Sequence, residues 1–186
     1  YQIMITIDEN EIKDRLNNPD TRRQTFEEIV NAFSEQLYWQ IRRMVLSHDD
    51  ANDILQNTFI KAWTNLDCFR GEAKLSTWLY RIALNECLSY LNRQRAQEHL
   101  SIDEADANMI NQLESDPYFD GNETQIQFQK AIRSLPEKQR IIFNLKYFKE
   151  MKYEDISEIL GTTVGSLKAS YHHAVKKIEE YFNKND

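Results

Sequence analysis

The chain has 186 residues, of which 28% are charged and 41% are hydrophobic, a balance that excludes a fully disordered protein. Only 4 Gly and 3 Pro are present, too few for the many tight turns of an all-β fold. No apolar run reaches the ~18 residues of a membrane span, and no secretory signal is visible. Two cysteines without CxxC spacing favour reduced thiols, so we expect a cytoplasmic protein without membrane insertion.

The net charge of −7 is unevenly distributed, and its distribution says more about binding partners than its total. Residues 26–72 carry four basic and eight acidic side chains, and residues 96–129 carry eight acidic and no basic ones. Residues 73–95 and 130–186 each carry three more basic than acidic side chains. Because basic surfaces attract nucleic acid, these two segments are the candidate DNA-binding regions.

The first half of the chain predicts three amphipathic helices. Apolar residues recur at steps of three and four over residues 26–45, 51–66 and 78–91, which is typical of helices with one buried face. Three such helices can enclose a core, so residues 25–95 are predicted to form one domain. Residues 1–24 are expected to form an arm or a short helix, and residues 1–3 are left out of the fold.

Short polar residues mark the expected helix starts. We expect Asp49 or Asp50 to cap the second helix, because a side-chain oxygen there can accept a hydrogen bond from a free backbone N–H. For the same reason, Ser76 or Thr77 is expected to cap the third helix.

Residues 96–122 lack the apolar repeat and are rich in Asp, Glu, Asn and Gln, which predicts a flexible acidic linker. A second helical domain is predicted over residues 123–186. The expected fold class is therefore all-α, with two small helical domains joined by an acidic flexible linker.

The second domain contains the pattern of a helix-turn-helix. Residues 153–160 form a short amphipathic helix, Gly161 is expected to end it in the left-handed conformation, and Thr162 or Thr163 to cap the next helix. That next helix, from residue 164 to about residue 182, buries an apolar stripe and turns small, polar and cationic side chains outward, which suits a DNA major groove. The outward side chains are Ser166, Lys168, Ala169, Ser170, His172, His173, Lys176 and Lys177.

No pattern of metal ligands or catalytic groups is evident. His172 and His173 are adjacent, so they point about 100° apart on a helix and cannot share a metal ion. The chain shows no tetrahedral ligand spacing, no Gly-rich phosphate loop and no nucleophile elbow. We expect no metal, no cofactor and no enzymatic activity.

Three sequence motifs occur in order along the chain. They are DDANDILQNTFIKAW at residues 49–63, FRGEAKLSTWLYRIALN at residues 69–85 and LPEKQR at residues 135–140, just before the helix-turn-helix. Together they resemble the extracytoplasmic-function (group IV) family of bacterial sigma factors, within the sigma-70 class. In that family, the first motif corresponds to the helix that binds core RNA polymerase, the second to the segment that follows it, and the third to the start of the fourth region. The resemblance implies a promoter-specificity subunit that recognises −35 and −10 elements, helps melt DNA and is commonly held inactive by an anti-sigma factor.

The resemblance implies that the second helix docks on core RNA polymerase. Carboxylates and amides beside an exposed aromatic ring suit a partner rich in Arg. The implied residues are Asp50, Asp53, Gln56, Asn57 and Phe59. Trp63 is expected in the core, because it falls on the apolar repeat.

The resemblance also implies that residues 70–77 form the loop that takes a flipped base of the −10 element, with a polar stripe on the following helix tracking the strand. The implied residues are Lys74, Ser76, Thr77, Arg81, Asn85, Ser89, Arg93 and Arg95. The family often has an acidic residue where this chain has Ser89. Trp78 is expected in the core.

By the same resemblance, the outward residues of the helix-turn-helix contact the −35 element. Many relatives carry arginines on this face, whereas this chain has only Lys168 before the pair Lys176 and Lys177. We therefore expect a weaker grip on phosphate and a shallower salt dependence.

Two other classes of protein remain open at this point. A helix-turn-helix transcription regulator would leave the motifs at residues 49–63 and 69–85 unexplained. A helical anti-sigma or adaptor protein would bind only other proteins. The acidic linker is either a solvated spacer or, as the family suggests, a polyanion in the polymerase channel that handles nascent RNA.

Overall fold

The computed structural model describes residues 8–45, 47–98 and 122–185, and within these ranges it contains helices and no strand. The all-α prediction is thereby confirmed for the described part of the chain. The predictions for residues 1–3 and for most of the acidic linker, residues 99–121, lie outside it. Contacts divide the chain into two units, Tyr1–Arg93 and Gln94–Asp186.

The described residues of the first unit form four helices. They are α1 (Glu9–Asn17), α2 (Pro19–Met44), α3 (His48–Thr64) and α4 (Leu75–Glu98), with a 3₁₀ turn (Leu66–Cys68) after α3. The sequence had predicted that the linker begins at residue 96. Because α4 runs to Glu98, residues 96–98 are helical and that prediction was wrong for them. Ala96, Gln97 and Glu98 all have high helix propensity, so they continue α4.

Within the predicted N-terminal segment, Glu9–Asn17 form the helix α1, and α2 begins well before residue 26. The Asn18 side chain accepts a hydrogen bond from the Asp20 N–H at 3.0 Å, and Pro19 occupies the first helical position, where its missing N–H costs nothing. Apolar periodicity missed this start because the first turns of α2 contact α1 through polar groups. Thr21 Oγ1 donates to the Arg15 carbonyl at 2.7 Å, and Arg22 Nε donates to the Leu16 carbonyl at 2.9 Å.

The predicted caps of the second and third helices were wrong. The Ser47 hydroxyl accepts a hydrogen bond from the Asp50 N–H and caps α3. Asp49 and Asp50 therefore lie inside the first turn, where negative charges interact favourably with the helix dipole. Helix α4 begins at Leu75, so Ser76 and Thr77 are helical residues and half-buried.

The core of the first unit lies between α2, α3 and α4. Each fully buried Leu or Ile side chain contributes about 1.5–3 kcal/mol relative to an exposed one. The buried apolar side chains include Ile29, Leu37, Ile41, Ala51, Ile54, Ala62, Leu79, Ala83, Leu84 and Leu91. An ion pair between Lys61 and the buried carboxylate of Glu86 also joins α3 to α4.

Over residues 122–185, the second unit contains four further helices. They are α5 (Glu123–Arg133), α6 (Glu137–Phe143), α7 (Tyr153–Leu160) and α8 (Val164–Asn185), and a π-helical turn (Asn144–Phe148) extends α6. A capping box between Asn122 and Gln125 begins α5. The core of this unit is formed by Ala131, Ile132, Leu135, Phe143, Ala174 and Ile178.

Helices α7 and α8 form the predicted helix-turn-helix. Gly161 adopts φ 64° and ψ 33°, the left-handed conformation expected for it. Thr163 Oγ1 accepts from the Ser166 N–H at 3.2 Å, which makes Thr163 the capping residue of the two that were predicted. Leu167 and Ala174 are fully buried, so the apolar stripe of α8 faces the core.

Within the described residues, no helix combines the length and the apolar character that crossing a membrane requires.

Candidate functional site

The predicted polymerase-binding residues of α3 do not all share one face. Asp53, Gln56 and Asn57 are exposed and Asp50 is half-buried. At 100° per residue these four fall within about 120° of arc on the helix surface. They therefore form one continuous polar strip.

Phe59 lies outside this strip on α3, and its predicted exposure was wrong. Its side chain is only 9% exposed, and its ring meets Phe26 edge-on at a centroid distance of 6.4 Å. Residue 59 follows Asp53 by six positions, which turns it about 240° around the helix.

Ile60 is the exposed apolar residue of the polar strip, and sequence reasoning missed it. Its side chain is 60% exposed, and it follows Asp53 by seven positions, which returns it to the same face. The spacing from Asp53 to residue 60 could have identified it. We define the docking strip of α3 as Asp50, Asp53, Gln56, Asn57 and Ile60.

Trp63 borders this strip and is not a core residue, contrary to the prediction. Its side chain keeps 42% of its surface exposed, and its ring rests against Phe26 at 5.1 Å between centroids. The aromatic pair thus covers one edge of the interface between α2 and α3.

The predicted −10 residues lie at the start of α4 and along it. Lys74 is exposed just before the helix, and Ser76, Thr77 and Arg81 are half-buried. Asn85, Ser89 and Arg93 are exposed at intervals of four residues. These three side chains form a polar stripe about 12 Å long, at 1.5 Å of rise per residue, although it turns slowly around the helix.

Arg95 departs from that stripe. It is exposed in the last turns of α4, but it follows Arg93 by only two residues, which turns it about 200° around the helix. The predicted regular step of one turn therefore fails between these two arginines.

The loop before α4 is held by its neighbours. Leu75 N–H donates to Glu9 Oε2 of α1 at 3.0 Å. Gly71 has φ 74°, a conformation that favours glycine. The half-buried Trp78 ring packs on the buried Phe69 at 5.2 Å between centroids, so the predicted burial of Trp78 is only partial.

The outer face of α8 carries the predicted −35 residues. Lys168, Ala169, His172, His173, Lys176 and Lys177 are exposed, and Ser166 and Ser170 are half-buried. The face has three cationic side chains and no acidic one before Glu179. It therefore presents small groups near the start of α8 and positive charge further along, a distribution that fits base edges and phosphates respectively.

Tyr153 supports the start of this face from α7. Lys168 Nζ lies 5.8 Å from the centre of the Tyr153 ring, and Lys146 Nζ lies 4.5 Å from it. The Tyr153 ring also meets Tyr171 edge-on at 6.5 Å. Burial raises the pKa of the Tyr171 hydroxyl, so this group is neutral beside the lysines.

His172 and His173 have their ring centroids 6.1 Å apart and tilted by 58°. Among the described residues, no group of three or more His, Cys, Asp or Glu side chains is arranged to hold a metal ion.

Comparisons with known proteins match both units. The family model for Sigma-70 region 2 matches residues 29–97, and that for Sigma-70, region 4 matches residues 125–178. The ECF RNA polymerase sigma factor SigW of Bacillus subtilis is 32% identical over 155 residues, which cover 79% of this chain and 83% of the relative. The chain belongs to the ECF family of RNA polymerase sigma factors. It is therefore a promoter-recognition subunit, and the resemblance deduced from the three motifs is confirmed.

Further relatives agree with this assignment of the sigma factor. The ECF RNA polymerase sigma-E factor of Haemophilus influenzae is 30% identical over 166 residues, covering 84% of this chain and 87% of the relative. The solved structure of the sigma factor RpoE with the anti-sigma factor NepR from Bartonella quintana has a TM-score of 0.64 at 22% identity, covering 85% of this chain and 96% of that one. The structure of CnrH with the cytosolic domain of CnrY has a TM-score of 0.63 at 18% identity, with coverage of 96% and 99%. These two structures share the fold of this sigma factor.

Proposed function

We propose that the sigma factor docks on core RNA polymerase through the docking strip of α3. The observation that carries this proposal is the exposure of Asp53, Gln56 and Ile60 side by side, while Phe59 turns into the core. Two carboxylates and two amides offer charge-assisted hydrogen bonds, and the apolar side chain of Ile60 at the C-terminal end of the strip offers surface to bury. Such a surface suits a partner with arginines beside an apolar patch.

The −10 contact is assigned to the loop at residues 70–74 and the start of α4. Lys74 supplies a positive charge, and Ser76 and Thr77 supply hydroxyl groups within the first turn. The stripe of Asn85, Ser89 and Arg93 then offers polar groups to the strand beyond a flipped base. Arg95 turns away from this stripe and forms an ion pair with Glu137 at 3.0 Å, so it is not assigned to the strand.

The −35 contact is assigned to the outer face of α8. Ser166 and Ala169 lie in its first turns, where a recognition helix meets base edges, and Lys168 beside them is assigned to a neighbouring phosphate. The half-buried Ser170 and the exposed His172 and His173 continue the face, and Lys176 and Lys177 bind phosphates.

This assignment gives the chain no catalytic step, because bond formation belongs to core polymerase. It places the protein with polymerase and promoter DNA in the bacterial cytoplasm. The proposal includes an anti-sigma factor as a further partner. Two solved complexes of similar fold support it: one contains an anti-sigma factor, and the other contains the cytosolic domain of a second protein. A simple helix-turn-helix regulator is less well supported, because it gives no role to residues 29–97.

The docking proposal is tested with Asp53→Arg, which reverses the charge at the centre of the strip. We expect loss of core RNA polymerase binding, at least tenfold in affinity, since a like-charge contact replaces a charge-assisted one. Binding is measured by fluorescence anisotropy of labelled chain titrated with core enzyme, and far-UV circular dichroism checks the fold.

Glu180→Arg is the matched control, because it makes the same charge reversal at an exposed helical position of the second unit. Wild-type affinity in both variants would contradict docking through α3. Failure of the wild-type chain to bind core enzyme at all would contradict the proposed function itself.

A further inference from the structure

Three side chains from the N-terminal part of the chain converge on the loop before α4. Glu9 Oε2 accepts a hydrogen bond from the Leu75 N–H at 3.0 Å, across 66 residues of sequence. Lys13, one turn along the same helix, lies against Gly71, where an added Cβ would stand 3.1 Å from Lys13 Cδ. Arg22 Nη2 donates to Asp67 Oδ1 at 2.7 Å, in the 3₁₀ turn that precedes the loop in sequence.

The Glu9 carboxylate caps the start of α4. The first N–H groups of a helix have no partner within the helix, and a residue just before the helix commonly caps them. Here the carboxylate comes from α1, and its negative charge also favours the positive end of the helix dipole. The first turn of α4 therefore depends on α1 for its cap.

Helix α1 is itself firmly attached to the first unit, so it can hold Glu9 and Lys13 in fixed positions against the loop. Ile12 and Leu16 are buried against the rest of the first unit. The hydrogen bonds from Thr21 to the Arg15 carbonyl and from Arg22 to the Leu16 carbonyl fix the corner between α1 and α2. Glu9 and Lys13 are four residues apart, so both lie on the face of α1 that meets the loop.

We propose that Glu9 and Lys13 are positioning residues for −10 recognition, which hold the loop at residues 70–74 in shape before DNA binds. This inference rests on the proposed assignment of that loop to the −10 element. Flipping a base out of the duplex costs a few kcal/mol, and a loop that must also become ordered adds to that cost. A loop already held by α1 avoids the second cost, as preorganised sites do.

The test compares two substitutions that remove the same charge from the same helix. Glu9→Gln alters the cap of α4, and Glu11→Gln alters an exposed residue of α1. Each variant is assembled with core polymerase and bound to a promoter that the wild-type holoenzyme has selected from a random library. One form of the promoter is duplex, and the other has a premelted −10 bubble in which the non-template strand is unchanged.

We expect Glu9→Gln to weaken binding of the bubble promoter about threefold and Glu9→Ala roughly tenfold, as one charge-assisted hydrogen bond is weakened or lost. Affinity for core polymerase and for a −35 duplex should stay at the wild-type value, which a general loss of stability would not allow. Equal bubble affinities for Glu9→Gln and Glu11→Gln would overturn the proposal.

Lys13→Met provides a second route should Glu9→Ala disturb the fold, since it keeps most of the stem that packs on Gly71. We expect a smaller loss than for Lys13→Ala, and equal wild-type binding in both would also overturn the proposal. Failure of the −10 assignment has a different signature, because Lys74→Ala would then leave bubble binding unchanged.

Discussion

The Cys87 thiol is enclosed in α4 with 1% of its surface exposed. Burial, the largest effect, and the charge of Glu86 raise the pKa of this thiol from 9.0 to about 12. Burial also raises the pKa of the Tyr80 hydroxyl in the same helix. Both groups are therefore uncharged in the folded first unit over the physiological range.

Alkaline pH is expected to destabilise the first unit through Cys87. The unfolded chain releases the thiol proton above about pH 9, whereas the folded chain keeps it up to about pH 12, so stability falls as the pH rises through this window. Between pH 8 and pH 10 the loss attributable to one such group is about 1 kcal/mol. Urea unfolding followed by tryptophan fluorescence measures it, because all three tryptophans, Trp39, Trp63 and Trp78, belong to the first unit.

Cys87→Ala should show a shallower decline, and Cys68→Ala, which alters the exposed thiol, should follow the wild type. The same dependence on pH in wild type and Cys87→Ala would show that this thiol does not ionise on unfolding.

Lys168 is the single cation in the first turns of α8, and its removal is expected to lower transcription from a cognate promoter. Lys168→Ala should also reduce the slope of log affinity against log salt by about 0.9, the value for one lost phosphate contact. Lys184→Ala, at the far end of α8, is the control. Unchanged activity and slope would remove Lys168 from the proposed −35 site.

At the scale of elements, the helix-turn-helix depends on one left-handed residue. Gly161 joins α7 to α8 with φ 64°, and an added Cβ there would meet no atom within 4 Å. The cost of a side chain at this position is therefore conformational and not steric.

Gly161→Ala is expected to lower the free energy of unfolding by about 1 kcal/mol. Gly165→Ala is the matched control, because Gly165 is helical and also has open space around its Cβ. That change should be neutral or stabilising by about 0.5 kcal/mol, since Ala favours a helix more than Gly does. Far-UV circular dichroism during urea unfolding measures both, and equal effects would argue against strain at residue 161.

The elements that sequence predicted best are those with strong local signals. The helix-turn-helix was predicted with its Gly161 terminus and with a cap at Thr162 or Thr163, of which Thr163 is the cap, because both features depend on neighbouring residues. The start of α4 was predicted wrongly because its cap comes from Glu9, a residue that no local pattern connects to Leu75. Phe59 and Ile60 show the same limit, since adjacent apolar residues differ in burial only once α2 packs on one side of α3.

For the whole molecule, the net charge of −7 is the sum of surfaces that carry opposite charges. The outer face of α8 is cationic, whereas the docking strip of α3 carries two carboxylates. The excess of acid over residues 96–129 accounts for more than the whole net charge. We infer that the free chain binds non-cognate DNA poorly, because the acidic segments repel the phosphate backbone.

The acidic linker gives a prediction at this scale. Replacing Asp103, Glu104 and Asp106 by the corresponding amides should leave core binding intact and impair initiation, if the linker acts as a polyanion inside the polymerase channel. The measurement is run-off transcription beside core affinity. Normal initiation by the triple variant would favour a solvated spacer.

The sequence by itself determined the class of fold, the order of the motifs and the family, because helix periodicity, a left-handed glycine and motif spacing are local properties of the chain. The tertiary structure decided which side chains stay exposed and which distant group completes a helix end. Burial of Phe59, exposure of Ile60 and capping of α4 by Glu9 all depend on how helices pack across the first unit. Packing between segments remote in sequence selects one face of each helix, and no single segment carries that information.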